Sequence, residues 1–211
     1  MRTDSRVKRI YADARARAAG AILKALGWRF HTTYEHDLSR GEVDKFPPKF
    51  IAFGEPHTHW FDFPMMLLLL WHFRLSPARF PVNGRFFIPV IGSWLRWMGA
   101  IPIDPKAGNG MVEVLSGELI ASEQMVLHIP PSGAIRKTDY WHSGFRHIAL
   151  EADVPVFMAY LDASTRTFGY APPLTMTDDV RSDMDKVRAF YADKRGFKPE
   201  NESVIRLRDE T

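Results

Sequence analysis

The sequence contains no cysteine among its 211 residues. Disulfide bonds, thiolate metal sites and cysteine nucleophiles are therefore excluded, and the redox compartment stays open. The sequence also lacks basic tracts interleaved with aromatic residues, and its formal net charge is only +3. Proteins that follow a phosphate backbone carry such tracts, so we expect no nucleic-acid partner.

No apolar run has the length of a membrane span. The longest, from Phe63 to Phe73, has about half of the ~20 residues that a spanning helix needs, and it includes His72. The first twenty residues are charged throughout and lack the apolar segment of a signal peptide. We therefore expect the protein to stay inside the cell.

The composition is that of a folded protein, with 45% apolar and 25% charged residues. Short apolar strands alternate with helical patterns, which predicts an α/β fold with a mixed sheet flanked by helices. Polar residues beyond position 195 are expected to be loosely held. The predicted strands are 49–53, a segment ending at Asp104, 125–133 and 154–163, and the predicted helices are 5–26, 63–75, 91–98, 110–124, 138–153 and 178–195, with a loop at 31–48.

Residues 5–26 predict an amphipathic helix that ends at Gly27. Six of its side chains are basic and only Asp13 is acidic. Such a helix either turns a solvated polar face outward while it packs on the domain, or lies on an anionic lipid surface. We divide the chain into this N-terminal element, residues 1–30, and one α/β domain, residues 31–211.

The segment EPHTHWFDFP, residues 55–64, concentrates polar side chains between a predicted strand and a predicted helix. His57, His59 and Asp62 are all possible metal ligands. However, in the metallo-β-lactamase type of site, H-x-H-x-D-H, the aspartate comes one position earlier and a further histidine follows it. The pattern therefore does not favour a metal site.

The same segment also fits acid–base chemistry. A neutral His57 imidazole could take a proton from a hydroxyl if the carboxylate of Asp62 held its tautomer and stabilised the imidazolium. The structural alternative is that Asp62 only caps the following helix. The local sequence leaves both readings open.

Four sequence blocks occur in one order: PHTHWFDFP, then GRFFIPVIGSWLRWMGAIPIDP, then PPSG, then VPVFMAYLD. This order resembles the 1-acylglycerol-3-phosphate acyltransferase family of glycerolipid acyltransferases. The corresponding family blocks are H-x4-D, a G-x-x-x-I-D-R-like segment, F-P-E-G-T-R and a V-P-V-like strand. The resemblance covers roughly residues 22–173.

The resemblance implies an α/β acyltransferase fold preceded by a helical element that docks on the inner face of the cell membrane. It makes His57 the general base toward an acceptor hydroxyl and Asp62 its supporting carboxylate. The donor would be acyl-CoA or acyl-carrier protein, with no other cofactor and no acyl-enzyme. Backbone N–H groups around Ser132 and Gly133 are the expected oxyanion donors.

The chain departs from the family pattern where the acceptor phosphate would bind. In the third block, Ser132 stands for the family's Glu, Ala134 for its Thr and Ile135 for its Arg, while Pro105 replaces the arginine after the second block. A dianionic phosphate depends on charge-assisted hydrogen bonds. The acceptor is therefore either a phosphate bound by shifted cations or an uncharged hydroxyl, or the chain is an inactive lipid-binding homologue.

The shifted cations are Lys106 and Arg136, each one residue downstream of the expected position, and Arg85 is a further substrate-binding candidate. Arg146 is predicted to be a surface charge, and His142 and His147 are predicted to be structural. A set of apolar residues forms either an acyl groove or ordinary core. These residues are Met65, Met66, Leu67, Phe86, Phe87, Trp94 and Trp97.

Overall fold

The structure is a computed structural model that describes residues 5–31, 46–75, 77–104 and 109–210. Short 3-10 turns also occur, one of them at Gly84–Phe86. The α-helices and strands of the described residues are α1 (Ser5–Ala25), β1 (Arg29–Phe30), β2 (Lys49–Glu55), α2 (Asp62–His72), β3 (Ala78–Asn83), α3 (Ile91–Met98), β4 (Ala100–Ile103), α4 (Asn109–Ala121), β5 (Met125–Ile129), α5 (Gly144–Glu151), β6 (Val156–Asp162), β7 (Thr167–Tyr170) and α6 (Val180–Tyr191).

The strands form one seven-stranded sheet in the order β1-β7-β6-β2-β5-β3-β4. Pairing is parallel throughout, except between β6 and β7. The central strand β2 is apolar on both faces, with Ile51 and Phe53 buried on one side and Phe50 and Ala52 on the other. This near-continuous burial is typical of parallel strands covered by helices, and it confirms the predicted α/β class.

Helices cover both faces of the sheet. Helices α4, α5 and α6 contribute Leu115, Phe145 and Val187 to the larger core on one face. On the other face, α1 and α2 contribute Leu23 and Met65. Helix α3 covers the β3–β4 edge on the same side as α2, where Leu95 joins Met66 and Phe80 in a third cluster.

Helix α1 packs on α2, and Gly27 ends it with a φ of +78°, a conformation that glycine adopts without strain. Asp13 forms an ion pair with Arg74 at 2.9 Å. The helix buries Ala16, Ala19 and Leu23, whereas most of its larger apolar residues face solvent. Within the described residues, no helix combines the length and apolar character that a membrane span requires. The exposed larger apolar residues of α1 and of the turn after it include Ile10, Tyr11, Ile22 and Leu26.

Several predicted elements are confirmed, including the helix 91–98, but three strands were not predicted. Strand β3 was not predicted because it contains Pro81, and a proline argues against a strand inside a sheet. Strands β1 and β7 are short and lack clear alternation. The predicted helix 138–153 begins only at Gly144. Most of the predicted loop 31–48 lies outside the described residues.

Two expectations about the C-terminal half are wrong. The segment after α6 is not loosely held, because Leu207 is buried in the larger core and Phe197 packs against Trp28 and Phe61. Arg146 is not a surface charge but is buried beside Asp183, with 3.8 Å between the charged atoms. Burial of a charge requires such a partner.

Candidate active site

The predicted site lies at the end of the sheet where the carboxyl ends of the parallel strands meet. His57 follows β2, Arg85 follows β3 and Ser132 follows β5, and these three strands are neighbours. The carboxyl ends of parallel strands are the usual place for ligands in α/β sheets. The fold therefore brings the first three sequence blocks to one edge, although they are far apart in the chain.

His57 and Asp62 contact each other directly. The Nδ1 atom of His57 lies 3.2 Å from Oδ2 of Asp62, and the carboxylate is buried while the imidazole is partly exposed. With its proton on Nδ1, the ring donates to Asp62 and leaves Nε2 free to accept a proton. This is the geometry expected of a histidine base supported by a carboxylate.

The turn before α2 holds Asp62 in place. The same Oδ2 atom accepts hydrogen bonds from the backbone N–H groups of Thr58 at 2.7 Å and His59 at 2.8 Å. The carboxylate therefore bonds the turn that precedes α2 and does not cap the helix. The C-terminal segment fixes this turn from outside, because the backbone N–H of Lys198 donates to the hydroxyl of Thr58 and the side-chain amide of Asn201 donates to the Thr58 carbonyl oxygen.

Glu55, which sequence reasoning missed, joins the first block to the third. Its Oε2 accepts the N–H of His57 at 2.8 Å, and its Oε1 accepts the N–H of Ser132 at 2.9 Å. The side chain is only 5% exposed, and burial raises its pKa against the opposing effect of the hydrogen bonds. An acidic residue at the end of a buried strand, just before the His57 segment, was the available sequence signal.

The raised pKa of Glu55 predicts a pH-dependent contribution to stability. A carboxyl group with a raised folded-state pKa binds its proton more tightly in the folded state, so its contribution to the free energy of unfolding falls as pH rises. The fall begins at the usual glutamate range and ends at the folded-state pKa. Denaturant unfolding at a series of pH values should show this component in the wild type but not in Glu55→Gln. Parallel pH curves for the two proteins would contradict the assignment.

His128 lies beside His57 but is suited to a different role. Burial, and secondarily the neighbouring His57, lower the pKa of His128 to about 3. Its ring packs on the backbone of Gly54, where a Cβ atom would come within 2.2 Å of it. His128 is therefore neutral at physiological pH, and it does not add a second positive charge when His57 takes up a proton.

An apolar cavity of about 180 Å³ begins at the His57–Asp62 pair and lies between α2 and the sheet. Most of its lining residues are apolar, and the polar ones include the pair, Glu55 and His128. Of the residues predicted to line an acyl groove, Met66 lines it, while Phe86, Trp94 and Trp97 do not. Its apolar lining includes Phe50, Ala52, Phe63, Met66, Phe157 and Ala159.

The predicted acceptor residues that the structure describes follow strands β3 and β5, which are neighbours in the sheet. Arg136 is exposed, and the guanidinium of Arg85 stacks 4.7 Å from the ring centre of Phe86. Lys106 lies outside the described residues. The N–H of Ser132 donates to Glu55 and that of Gly133 donates to the Pro130 carbonyl at 2.9 Å, so both backbone donors already have partners.

Gly133 has a specific steric reason to be glycine. Its φ is +68°, and a Cβ atom would lie 2.7 Å from Cδ2 of His142. Any side chain would therefore be strained and would also displace the imidazole. His142 thus covers the turn of the third block, which agrees with its predicted structural role.

His59 turns away from the pair. Its Nδ1 accepts the backbone N–H of Phe61 at 3.3 Å, and its ring contacts Trp60 and Phe197. In the part of the chain that the structure describes, no three His, Asp or Glu side chains are arranged to hold a metal ion. The structure therefore gives His59 aromatic neighbours and no ligand geometry.

Comparison with protein families gives one match. The family model described as Acyltransferase matches residues 55–161, just over half of the chain. No curated protein and no solved structure matches the chain. The matched range begins at Glu55, the last residue of β2, and ends at Leu161 in β6, so it includes the His57–Asp62 pair.

Proposed function

The chain belongs to the Acyltransferase family, and from this premise we propose that it transfers a fatty acyl group from a thioester to the hydroxyl of a lysophosphatidate-like lipid. The family membership supports an acyltransferase with an acyl donor and an acceptor as substrates. The observation that carries the finer proposal is the His57–Asp62 pair at the end of an apolar cavity.

In the proposed reaction, Nε2 of His57 takes the proton of the acceptor hydroxyl while the hydroxyl oxygen attacks the carbonyl carbon of the thioester. Asp62 stabilises the imidazolium through the Nδ1 proton. The tetrahedral intermediate then collapses, the carbon–sulfur bond breaks, and the departing thiolate takes the proton from His57. The steps need no acyl-enzyme and no cofactor beyond the thioester donor, which is either acyl-CoA or acyl-carrier protein.

The cavity supports a fatty chain in the donor. Burial of apolar groups is favourable by about 0.8 kcal/mol for each methylene, and Phe50, Ala52, Phe157 and Met66 offer an apolar lining next to the pair. We propose that the acyl chain lies there with its carbonyl carbon at His57. The excess of basic residues in the α1 sequence, together with its exposed apolar residues, supports peripheral attachment to the inner face of the membrane.

Arg136 is the described cation best placed to bind an acceptor phosphate, because it is exposed and follows the third block at the site edge. Arg136→Ala should raise KM for a phosphorylated acceptor about tenfold, the usual size for loss of one charge-assisted hydrogen bond. The double change with Lys106→Ala should raise it further. The measurement compares a lysophosphatidate with the monoacylglycerol of the same chain, and Lys137→Ala serves as the neighbouring charge control.

A second acceptor class has an observation in its favour. Three polar positions that serve phosphate binding in the family are occupied here by Pro105, Ser132 and Ile135. If Arg136→Ala leaves KM for the phosphorylated acceptor unchanged, and the wild type uses the uncharged acceptor with an equal or lower KM, the acceptor is an uncharged hydroxyl such as that of a sugar or a neutral lipid. Thiol release from acyl-CoA in the presence of each acceptor is the common assay. A wild-type protein that releases thiol with none of them would be the inactive lipid-binding homologue.

A further inference from the structure

The residues that follow β3 expose a dense group of large apolar side chains. Trp97 is 78% exposed and Val90 is 81% exposed. Soluble monomers seldom expose a contiguous apolar patch of this kind without a binding role. We call this group the α3 surface, and its members are Phe86, Ile88, Val90, Ile91, Trp94 and Trp97.

The α3 surface is not the inner face of the helix. Gly92 and Leu95 are the buried residues of α3, and Leu95 packs with Met66 and Phe80. A Cβ atom on Gly92 would come within 2.9 Å of the Phe87 backbone, so the inner contact is close. One side of α3 is therefore buried in the core, and Trp94 and Trp97 point to solvent.

The stretch of chain that carries the α3 surface has basic residues and no acidic ones. No acidic residue occurs between Asp62 and Asp104, although the chain has 25 acidic residues in total, and this stretch carries four arginines. Two of them stack on neighbouring rings of this stretch: Arg85 lies 4.7 Å from the ring centre of Phe86, which belongs to the α3 surface, and Arg96 lies 4.9 Å from that of Phe87, which adjoins it. A matching partner is apolar and carries negative charge.

We infer that the α3 surface inserts into the interface of an anionic lipid membrane. Tryptophan is enriched at the boundary between acyl chains and headgroups, and arginine adds attraction to anionic lipids. The α1 helix adjoins this surface, because Arg15 and Trp97 line one crevice together with Trp71 and Arg79. The two elements form one membrane-facing side.

The α3 surface also lies close to the proposed acyl cavity. Phe63, which follows Asp62, belongs to one cluster with Val82 and Phe87, and Phe63 and Val82 also line the cavity. Insertion of the α3 surface would therefore bring the cavity to the bilayer, where a lipid acceptor is found. This inference concerns membrane binding, so vesicle measurements test it separately from acyl transfer.

The first measurement uses the intrinsic fluorescence of Trp94 and Trp97. Wild-type protein is mixed with vesicles of phosphatidylglycerol and phosphatidylcholine whose acyl chains carry bromine, a short-range quencher. Quenching is expected, and it should be largely lost in the W94F/W97F variant. That variant keeps two apolar rings on the surface, so it should still bind the vesicles.

The second measurement is vesicle co-sedimentation. The W94S/W97S variant should partition into anionic vesicles about tenfold more weakly, because two interfacial rings are lost. Its control is V114S/I120S, which changes two half-exposed apolar residues of α4 on the opposite side of the sheet. The control should partition as the wild type does.

Two results would overturn the inference. In the first, Trp94 and Trp97 are not quenched and W94S/W97S partitions like the wild type, which would leave α1 as the sole membrane contact. In the second, light scattering shows a wild-type dimer that W94S/W97S dissociates while vesicle binding is unchanged, which would make the α3 surface a contact between two copies.

Discussion

Replacing His57 with alanine is expected to lower kcat for acyl transfer by about 10³-fold, within the range lost when a general base is removed. His57 is the proposed base because its Nδ1 contacts Asp62 and its Nε2 is free to accept a proton. The imidazole is partly exposed and belongs to no core cluster. The variant should therefore keep the thermal stability of the wild type. Thiol release from acyl-CoA with a saturating acceptor measures the loss.

The matched control is His59→Ala, two residues away on the same turn. The His59 ring faces Trp60 and Phe197, so its loss should change kcat by no more than about threefold. Asp62→Asn should also reduce kcat, but it disturbs the turn as well, because Oδ2 accepts two backbone N–H groups. If His57→Ala retains the wild-type rate, another residue is the base.

Filling the cavity at Ala52 should change which acyl chains the enzyme accepts. Ala52 lies on the floor of the cavity, flanked in the sheet by His128 and Phe157. A leucine there would displace about three methylenes of a long chain, worth ~2.4 kcal/mol or roughly 50-fold in kcat/KM. Palmitoyl-CoA should therefore lose roughly this factor relative to butyryl-CoA in Ala52→Leu.

The ratio between the two donors cancels any loss of folded enzyme within one variant. Ala149→Leu is a matched control, because it adds the same three carbons at a buried position in the core on the opposite face. It should overpack the core by about 1–3 kcal/mol and leave the palmitoyl-to-butyryl ratio unchanged. If the palmitoyl-to-butyryl ratio is unchanged in Ala52→Leu, the acyl chain does not bind in this cavity.

The His57–Asp62 contact was one of the two readings that the sequence offered, because it is local. Five positions separate the two residues, and the turn between a strand and a helix is enough to fold one side chain onto the other. The contact of Glu55 with Ser132 could not be predicted in this way, since 77 residues separate them. It depends on β2 and β5 being neighbours in the sheet, which is a matter of strand order.

The positions of the aromatic residues of the second block could not be predicted from the sequence either. A run such as that in α3 has the helical spacing of apolar residues whether its face is buried or exposed. The prediction of groove or core for Trp94 and Trp97 could not include the third outcome, exposure, because it depends on where α3 lies. At the β3–β4 edge, α3 contacts the sheet through the side that carries Leu95, which leaves Trp94 and Trp97 exposed.

The sequence alone determined the α/β class, through the periodicity of short stretches, and the order of the four blocks. The short spacing of His57 and Asp62 allowed their contact but left a helix-capping role for Asp62 open. The tertiary structure alone decided that Glu55 joins two blocks, that the C-terminal segment braces the turn at Thr58, and that an apolar cavity borders the pair. These features depend on which distant strands and helices become neighbours, and that is settled by packing of the whole chain.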